Sequence, residues 1–399
     1  MDQEPVAEVR FRYVRALDGV RSIAIVLVLL FHYPWGDQRW GSNPVGGGFL
    51  GVDVFFVLSG FLITSLLLQE RADTGAVSLR SFYARRALRL LPAFGVLFAI
   101  AIVARFAFVQ PAQRPTWFGV FAMAAYFANW VQLWVHEPLG PLFGHTWSLA
   151  IEEQFYVVFP LVFVGFAWLR ASRRTLGLAL FAAAAASAAW RAYLWKSPPA
   201  FVDFYARITG REVRGTNPFA TWNRWYFGTD TRLDALLIGC VAAVALVSLQ
   251  PRITPAIRRV LLCVSVVAIV VLGFMVANAA ILSDWLPSWG LFVFACLVAV
   301  VVVGLVVNPG SIPSRLFGLA PLVWIGRRSY GIYLFHQVVF NQAVRNRTHL
   351  PPFWSFWFNM AAILVVAELS WRYVEQPFLR RKGRFARSEM PSQPADSLR

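Results

Sequence analysis

The residues best suited to chemistry in this sequence are an arginine and a histidine in its first apolar stretch, residues 17–35. Arg21 and His32 are eleven positions apart, which on an α-helix puts the second side chain within roughly 20° of the face of the first and roughly 16 Å along the axis. An imidazole can remove a hydroxyl proton near neutral pH, and a guanidinium can bind phosphate or offset oxyanion charge. Ionisable groups in an apolar span indicate a functional site. A snorkelling Arg21 and a capping His32 would explain the pair equally well.

A second group of candidate residues is basic. The segment 81–92, SFYARRALRLLP, places Arg85, Arg86 and Arg89 on one side of an amphipathic turn, with leucines on its apolar face. Arginine binds phosphate through paired hydrogen bonds, so this turn is suited to a phosphate-bearing donor such as coenzyme A. A basic helix that lies on anionic lipid has the same pattern, and spacing alone does not separate the two interpretations.

The third candidate is a carboxylate at the start of an apolar helix. In the segment 145–160, HTWSLAIEEQFYVVFP, Glu152 falls on the same helical stripe as His145, Ser148 and Tyr156. This stripe favours Glu152 facing the interior of a helix bundle, where it would orient or charge-stabilise an imidazole, with His32 and Arg21 as its expected hydrogen-bond donors. The neighbouring glutamate is explained by the favourable dipole at a helix N-terminus.

Several further polar side chains lie within apolar stretches, where they are costly unless they face a cavity or a partner. The candidates to line a cavity are Asp53, Ser148, Tyr156, Arg232, Asp234, Tyr333 and His336. For Arg232 and Asp234, an ion pair with each other at the membrane interface is the simpler interpretation. For His336, structural hydrogen bonding and catalysis are equally good explanations. The histidines are scattered and the three cysteines lie in apolar segments, so no metal site is predicted.

The elements that must position these residues are membrane helices. The chain has 399 residues, of which 58% are hydrophobic and 14% charged, and a soluble domain does not carry repeated apolar runs of about 20 residues. The apolar segments lie near 17–35, 49–70, 93–109, 117–135, 146–169, 175–195, 233–249, 260–282, 288–307, 319–341 and 354–374. The fold class predicted is an all-α polytopic membrane protein, a bundle of about ten transmembrane helices.

The formal charge of +17 reflects topology rather than nucleic-acid binding, because the basic residues concentrate in short loops that the positive-inside rule places in the cytoplasm. These residues are Arg80, Arg85, Arg86, Arg89, Arg170, Arg173, Arg174, Arg252, Arg258, Arg259, Arg315 and the basic tail after Arg380. Two such loops, 71–92 and 170–174, are separated by three apolar segments, which would put them on opposite sides. We therefore expect 93–109 or 117–135 not to span fully, or the pair to form an irregular or re-entrant element.

The predicted organisation has three parts. They are a cytoplasmic N-terminal segment 1–14, a membrane domain 15–380 with an external loop at about 196–231, and a basic, disordered cytoplasmic tail 381–399. The expected location is the plasma membrane, with multiple spans and both termini in the cytoplasm.

The chain resembles the acyltransferase-3 family of membrane-bound acyltransferases over about residues 15–380. The resemblance runs, in the family's order, through ALDGVRSIAIVLVLLFH (16–32), GFLGVDVFFVLSGFLIT (48–64), FYARRALRLLPA (82–93), WSLAIEEQFY (147–156), RLDALLIG (232–239), SYGIYLFH (329–336) and VEQPF (374–378). It implies that Arg21 and His32 match the family's essential pair, that Arg86 and Arg89 match its basic cytoplasmic motif, and that Glu152 matches its acidic position. Some members continue into a soluble esterase-like domain, which is not expected in this chain.

The resemblance implies transfer of an acyl group, most often acetyl, from acyl-CoA to a hydroxyl of a carbohydrate-containing acceptor. That acceptor is a cell-envelope glycan, a glycolipid or a secreted metabolite such as a macrolide. The expected partners are acyl-CoA, used as a co-substrate with no bound cofactor, the acceptor and membrane lipid, with no nucleic acid. The rival function is a transporter or flippase for a lipid-linked sugar or an acylated metabolite, which would explain many helices and intramembrane charges.

Overall fold

The computed structural model describes residues 13–34, 45–107, 114–134, 139–196, 218–281, 283–340 and 350–381. The first half of the described chain contains helices α1 Arg15–His32, α2 Gly51–Thr74, α3 Leu79–Ala107, α4 Trp117–Ala124, α5 Ala128–Trp134, α6 Gly140–Phe143, α7 Thr146–Trp168 and α8 Arg173–Lys196. The second half contains α9 Pro218–Phe227, α10 Thr229–Leu249, α11 Pro255–Asn278, α12 Leu291–Val307, α13 Ile312–Phe317, α14 Ala320–Val339, α15 Pro352–Leu369 and α16 Gln376–Arg381. The predicted all-α fold class is confirmed.

Eight helical stretches are long and apolar enough to cross a membrane, as judged within the described ranges. They are Gly46–Thr74, Leu79–Phe106, Thr146–Trp168, Arg173–Lys196, Thr229–Arg252, Pro255–Asn278, Leu286–Val307 and Phe353–Arg381. Helices α1 and α14 are not among the eight, and both carry charged residues: α1 has Arg15, Asp18 and Arg21 within 18 residues. Adding these two helices would give a total of ten, which stays a prediction.

The ambiguity over segments 93–109 and 117–135 is resolved by the length of the helices. The first segment is the second half of α3, a single helix of 29 residues that already contains the arginine cluster and continues through Pro92. The second segment is divided into α4 and α5, of eight and seven residues, with Tyr126 between them at a positive φ of 53°. Because a span needs about 20 residues, 117–135 is not a span, and the two basic loops can share one side.

The predicted external loop 196–231 contains structure at its end. Helix α9 occupies Pro218–Phe227, and α10 begins at Thr229. Residues 197–217 of that loop, the N-terminal residues 1–12 and the tail from 382 lie outside the described residues, so the domain boundaries stay predictions.

Helices α2 and α10 form the centre of the bundle. Helix α10 packs against α2 and α8, while α1 packs against α14 and α2. A methyl group at Gly60 of α2 would lie 1.9 Å from the carbonyl oxygen of Leu236, and one at Gly239 of α10 would lie 2.1 Å from that of Val57. Glycine at both positions lets the two backbones approach closely, as small residues do between membrane helices. This close contact fixes α2, which carries part of the candidate site.

Candidate functional site

A cavity of about 410 Å³ lies between α1, α2, α3, α7 and α14, and it collects most of the predicted site residues. The predicted residues that line it are Arg21, Arg85, Arg86, Arg89, Ser148, Glu152, Tyr156 and Tyr333. They come from four helices that are far apart in the sequence. The structure therefore joins the basic cluster, the carboxylate and the α1 arginine in a single space.

We call this space, with the eight lining residues named above, the donor cavity, after the phosphate-bearing donor that the sequence predicts for its arginines. Its arginines differ in whether their charges are already paired with a carboxylate. Arg85 Nη2 lies 2.8 Å from Glu70 Oε2, and Arg21 Nη1 lies 3.4 Å from Asp18 Oδ1. Arg86 stacks its guanidinium 3.7 Å from the centre of the Tyr156 ring. Within the described ranges, neither Arg86 nor Arg89 makes a hydrogen bond or an ion pair. Their donors are consequently available to an anion in the cavity.

Glu152 is held by hydroxyl groups. Ser59 Oγ on α2 donates to Glu152 Oε1 at 2.8 Å, and the Tyr156 hydroxyl donates to Ser59 Oγ at 2.8 Å. The sequence predicted His32 and Arg21 as hydrogen-bond donors to Glu152, and that prediction is wrong. His32 Nδ1 faces the backbone oxygen of Val28 and Arg21 pairs with Asp18, while Ser59 donates to Glu152. The positive charges of Arg86 and Arg21 act on this carboxylate across the cavity.

His32 is the last residue of α1 and is not among the residues that line the donor cavity. It stands in a row of three imidazoles. Its ring centre lies 5.0 Å from that of His336, and the His336 ring lies 4.8 Å from that of His145. His336 and His145 are buried. We define His32, His145 and His336 as the histidine cluster. The sequence reading did not assign His145 to the site, although its place on the stripe with Ser148 and Glu152 was an available signal.

Tyr333 lines the donor cavity and contacts the histidine cluster. Its hydroxyl lies 2.6 Å from Ser148 Oγ and donates to the backbone oxygen of His145 at 2.9 Å. Its ring centre lies 5.4 Å from the rings of both His145 and His336. Since Tyr333 and Ser148 line the donor cavity, one tyrosine contacts both parts of the site.

Asp53, Arg232, Asp234, His32 and His336 are not among the residues that line the donor cavity. The first three belong instead to two buried ion pairs. Arg232 Nη2 lies 3.0 Å from Asp53 Oδ2.

The second buried pair joins Arg191 to Asp234, with Nη2 and Oδ2 2.8 Å apart. The expected pairing of Arg232 with Asp234 is therefore wrong, because each finds a partner on another helix. Arg191, which the sequence analysis did not single out, is the arginine in the C-terminal half of the alanine-rich α8. The two pairs tie α10 to α2 and α8, and a buried pair of this kind positions elements more than it adds stability.

A second, larger cavity of about 1000 Å³ adjoins the first near the start of α1. Arg21, Leu62 and Leu66 line both cavities. Its basic residues include Arg258 and Arg315. No group of three or more histidine, cysteine or acidic side chains is arranged to hold a metal ion in the described part of the chain.

A sequence model of the acyltransferase-3 family, described as an acyltransferase domain, matches residues 14–371. The peptidoglycan O-acetyltransferase OatA of Listeria monocytogenes is 33% identical over 389 residues, which cover 93% of this chain and 56% of the relative. The O-acetyltransferase OatA of Staphylococcus aureus strain MRSA252 is 31% identical over 403 residues, covering 97% and 60% respectively. This chain thus spans only 56% and 60% of the lengths of these two relatives. No solved structure matches the chain.

Proposed function

Because this chain belongs to the acyltransferase-3 family and is an acyl-transferring enzyme of the membrane, we propose that it acetylates a hydroxyl of a cell-envelope glycan with acyl-CoA as donor. The observation that carries the proposal is the donor cavity, where two arginines without ion-pair partners face the same space as a carboxylate. An acyl-CoA brings phosphates that match those arginines. The relatives' names, which include a peptidoglycan O-acetyltransferase, favour a glycan as the acceptor.

The donor's size also fits the pair of adjoining cavities. Coenzyme A combines a phosphorylated nucleotide with a long thiol arm, and 410 Å³ is at the small end for a whole ligand of that kind. We propose that the thiol arm lies in the donor cavity and that the nucleotide extends past Arg21 into the 1000 Å³ cavity. Arg86 and Arg89 would then bind pyrophosphate oxygens, and Arg258 and Arg315 would lie nearer the nucleotide.

His32 is the proposed general base. Its Nδ1 lies 3.0 Å from the backbone oxygen of Val28, and a carbonyl can only accept a hydrogen bond, so Nδ1 carries the ring proton in the neutral form. Nε2 then has the free lone pair that can take a hydroxyl proton.

The proposed reaction is a direct acyl transfer. As the acceptor oxygen attacks the thioester carbonyl carbon, its proton passes to His32 Nε2. The carbon–sulfur bond then breaks, and the thiolate leaves and recovers the proton from the imidazolium. Arg21 lies about three helical turns from His32, so its role in this arrangement is to bind a donor phosphate. The carboxylate of Glu152 balances the positive charges of Arg21 and Arg86 in the cavity.

The experiment that tests this function measures coenzyme A release from acetyl-CoA by the reconstituted protein, with an extract of a deletion strain that contains the unmodified acceptor. Mass spectrometry of the extract identifies the product by the addition of one acetyl group. We expect His32→Ala to abolish release and product while the protein still elutes as a folded species in detergent. Near-normal transfer by His32→Ala would remove His32 from the mechanism, and movement of substrate without thioester consumption would favour transport.

A further inference from the structure

We propose that His145 and His336 form a hydroxyl-binding subsite that holds the acceptor next to His32, on the side of Tyr333 away from the donor cavity. The inference rests on the proposed function and names where a polyhydroxylated acceptor is held.

Backbone carbonyl groups fix the tautomer of the His336 and His145 rings. His336 Nδ1 lies 2.6 Å from the backbone oxygen of Tyr333, and His145 Nε2 lies 3.1 Å from the backbone oxygen of Leu334. A carbonyl oxygen has no proton to donate, so the ring nitrogen facing it must be the protonated one. In a neutral imidazole the other nitrogen is then an acceptor. His336 therefore presents a lone pair at Nε2, and His145 presents one at Nδ1.

Both acceptor nitrogens lie on buried rings and lack a hydrogen-bond partner. His336 is 0% exposed and His145 is 3% exposed. Neither His336 Nε2 nor His145 Nδ1 has a hydrogen-bond partner among the described residues. Buried polar atoms are nearly always paired, so two such atoms on rings 4.8 Å apart need an explanation. A ligand that brings its own hydrogen-bond donors supplies one.

The two acceptor nitrogens determine which ligand groups can bind there. Two neutral acceptor nitrogens reject carbonyl, phosphate and thioester groups, which have no proton to donate. Hydroxyl groups donate, and a sugar carries several within the distance between two adjacent rings. The donor's phosphates therefore have no affinity for this position, whereas a glycan hydroxyl does.

The subsite lies next to the candidate base, His32. His336 lies between the other two rings, at 5.0 Å from His32 and 4.8 Å from His145. A sugar bound to His336 and His145 thus presents a neighbouring hydroxyl towards His32. Tyr333, in contact with both rings, marks where the acceptor meets the acyl group.

The test exploits the fact that the two rings offer different nitrogens. A glutamine side chain places a polar atom near the position of Nε2, and an asparagine places one near Nδ1. We expect His336→Phe and His145→Phe to raise the half-saturating amount of acceptor extract about 3- to 10-fold, as the loss of one neutral hydrogen bond predicts, with the KM for acetyl-CoA unchanged. His336→Gln and His145→Asn should restore acceptor affinity, while the exchanged variants, His336→Asn and His145→Gln, should not.

A purely structural role would lower turnover in all these variants alike, without the split between acceptor and donor or the position-specific rescue. That outcome, or an unchanged acceptor requirement in both phenylalanine variants, overturns the subsite. If wild-type protein releases no more coenzyme A than His32→Ala, the proposed function fails instead. The nitrogen resonances of ¹⁵N-histidine-labelled protein then still decide the geometry, because a protonated Nε2 at His336 in the neutral ring would overturn the subsite without any turnover.

Discussion

At Glu152, substitution by glutamine removes the negative charge but keeps the shape of the side chain, so the two contributions to activity can be tested separately. We expect Glu152→Gln to keep an oxygen that accepts from Ser59, as Glu152 Oε1 does at 2.8 Å, while removing the negative charge near Arg21 and Arg86. Acetyl-CoA should bind about as well as to wild type, and kcat should fall at least about tenfold because the cavity loses the negative charge that balances Arg21 and Arg86. Steady-state kinetics with varied acetyl-CoA separates kcat from KM.

The matched control is Glu153→Gln, a neighbouring carboxylate that does not line the donor cavity. It should retain activity. Full activity in Glu152→Gln together with misfolding in Glu152→Ala would show that the carboxylate only pins α7 to α2.

Arg86 and Arg89 are expected to determine donor affinity. Each charge-assisted hydrogen bond is worth about 1.5–3 kcal/mol, so Arg86→Ala and Arg89→Ala should each raise the KM for acetyl-CoA about 10- to 150-fold with little change for the acceptor. Arg85→Ala should have a smaller effect, since its guanidinium is already paired with Glu70 at 2.8 Å.

Arg80→Ala serves as the control for these arginines, because Arg80 is an exposed basic residue of the same helix that does not line the donor cavity. A donor KM that is unchanged in Arg86→Ala and Arg89→Ala, combined with reduced membrane insertion, would instead assign the cluster to lipid contact.

Many individual residues of the candidate site were predictable from sequence, because a charged side chain in an apolar stretch has few explanations. Arg21, Arg86, Arg89 and Glu152 were all assigned from sequence, and the structure brings them to one cavity. The hydrogen-bond partners of these residues were not predictable from sequence. Ser59 is a small hydroxyl that is unremarkable in a membrane helix, and only the packing of α2 against α7 brings it to Glu152.

At the scale of helices, the close contact between α2 and α10 depends on two glycines. A methyl group at Gly60 would meet a carbonyl oxygen at 1.9 Å, so Gly60→Ala must push the helices apart. Overpacking of this kind costs about 1–3 kcal/mol, and we expect a lower thermal unfolding midpoint in detergent together with reduced activity.

Gly165→Ala is the control, since nothing lies within 4 Å of the added methyl group in α7. Alanine there should be neutral or slightly stabilising because it favours the helix. Equal midpoints for Gly60→Ala and Gly165→Ala would mean that α2 and α10 are not held by this contact.

The helices themselves were predictable to different degrees. Long apolar runs predicted the long helices, because a helix that crosses lipid needs about 20 mostly apolar residues. The division of 117–135 into α4 and α5 was less visible, since Asn129 and Gln132 are the only strongly polar residues in a segment otherwise typical of a span. The break lies at Tyr126, whose positive φ follows from tertiary packing that composition does not record.

For the whole molecule, orientation in the membrane is the main prediction that follows from charge. The positive-inside rule places the α7–α8 connection in the cytoplasm and the α11–α12 connection outside. After replacement of Cys240, Cys263 and Cys296, we expect Asp284→Cys to react with a membrane-impermeant maleimide in intact cells, and Ser172→Cys to react only after permeabilisation. The reverse labelling pattern would invert the topology and place the donor cavity out of reach of cytoplasmic acyl-CoA.

Tyr333 has a consequence for the energised membrane in which the protein sits. It lines the donor cavity and its ring contacts two rings of the histidine cluster, and its hydroxyl is hydrogen-bonded to Ser148 and to the backbone of His145. In the proposed arrangement, a file of water that joined the donor cavity to the histidine cluster would let protons run down their gradient and would hydrolyse the thioester without transfer. We infer that this tyrosine limits the passage of water at the point where acceptor and acyl group meet, so that acetyl transfer does not discharge the membrane.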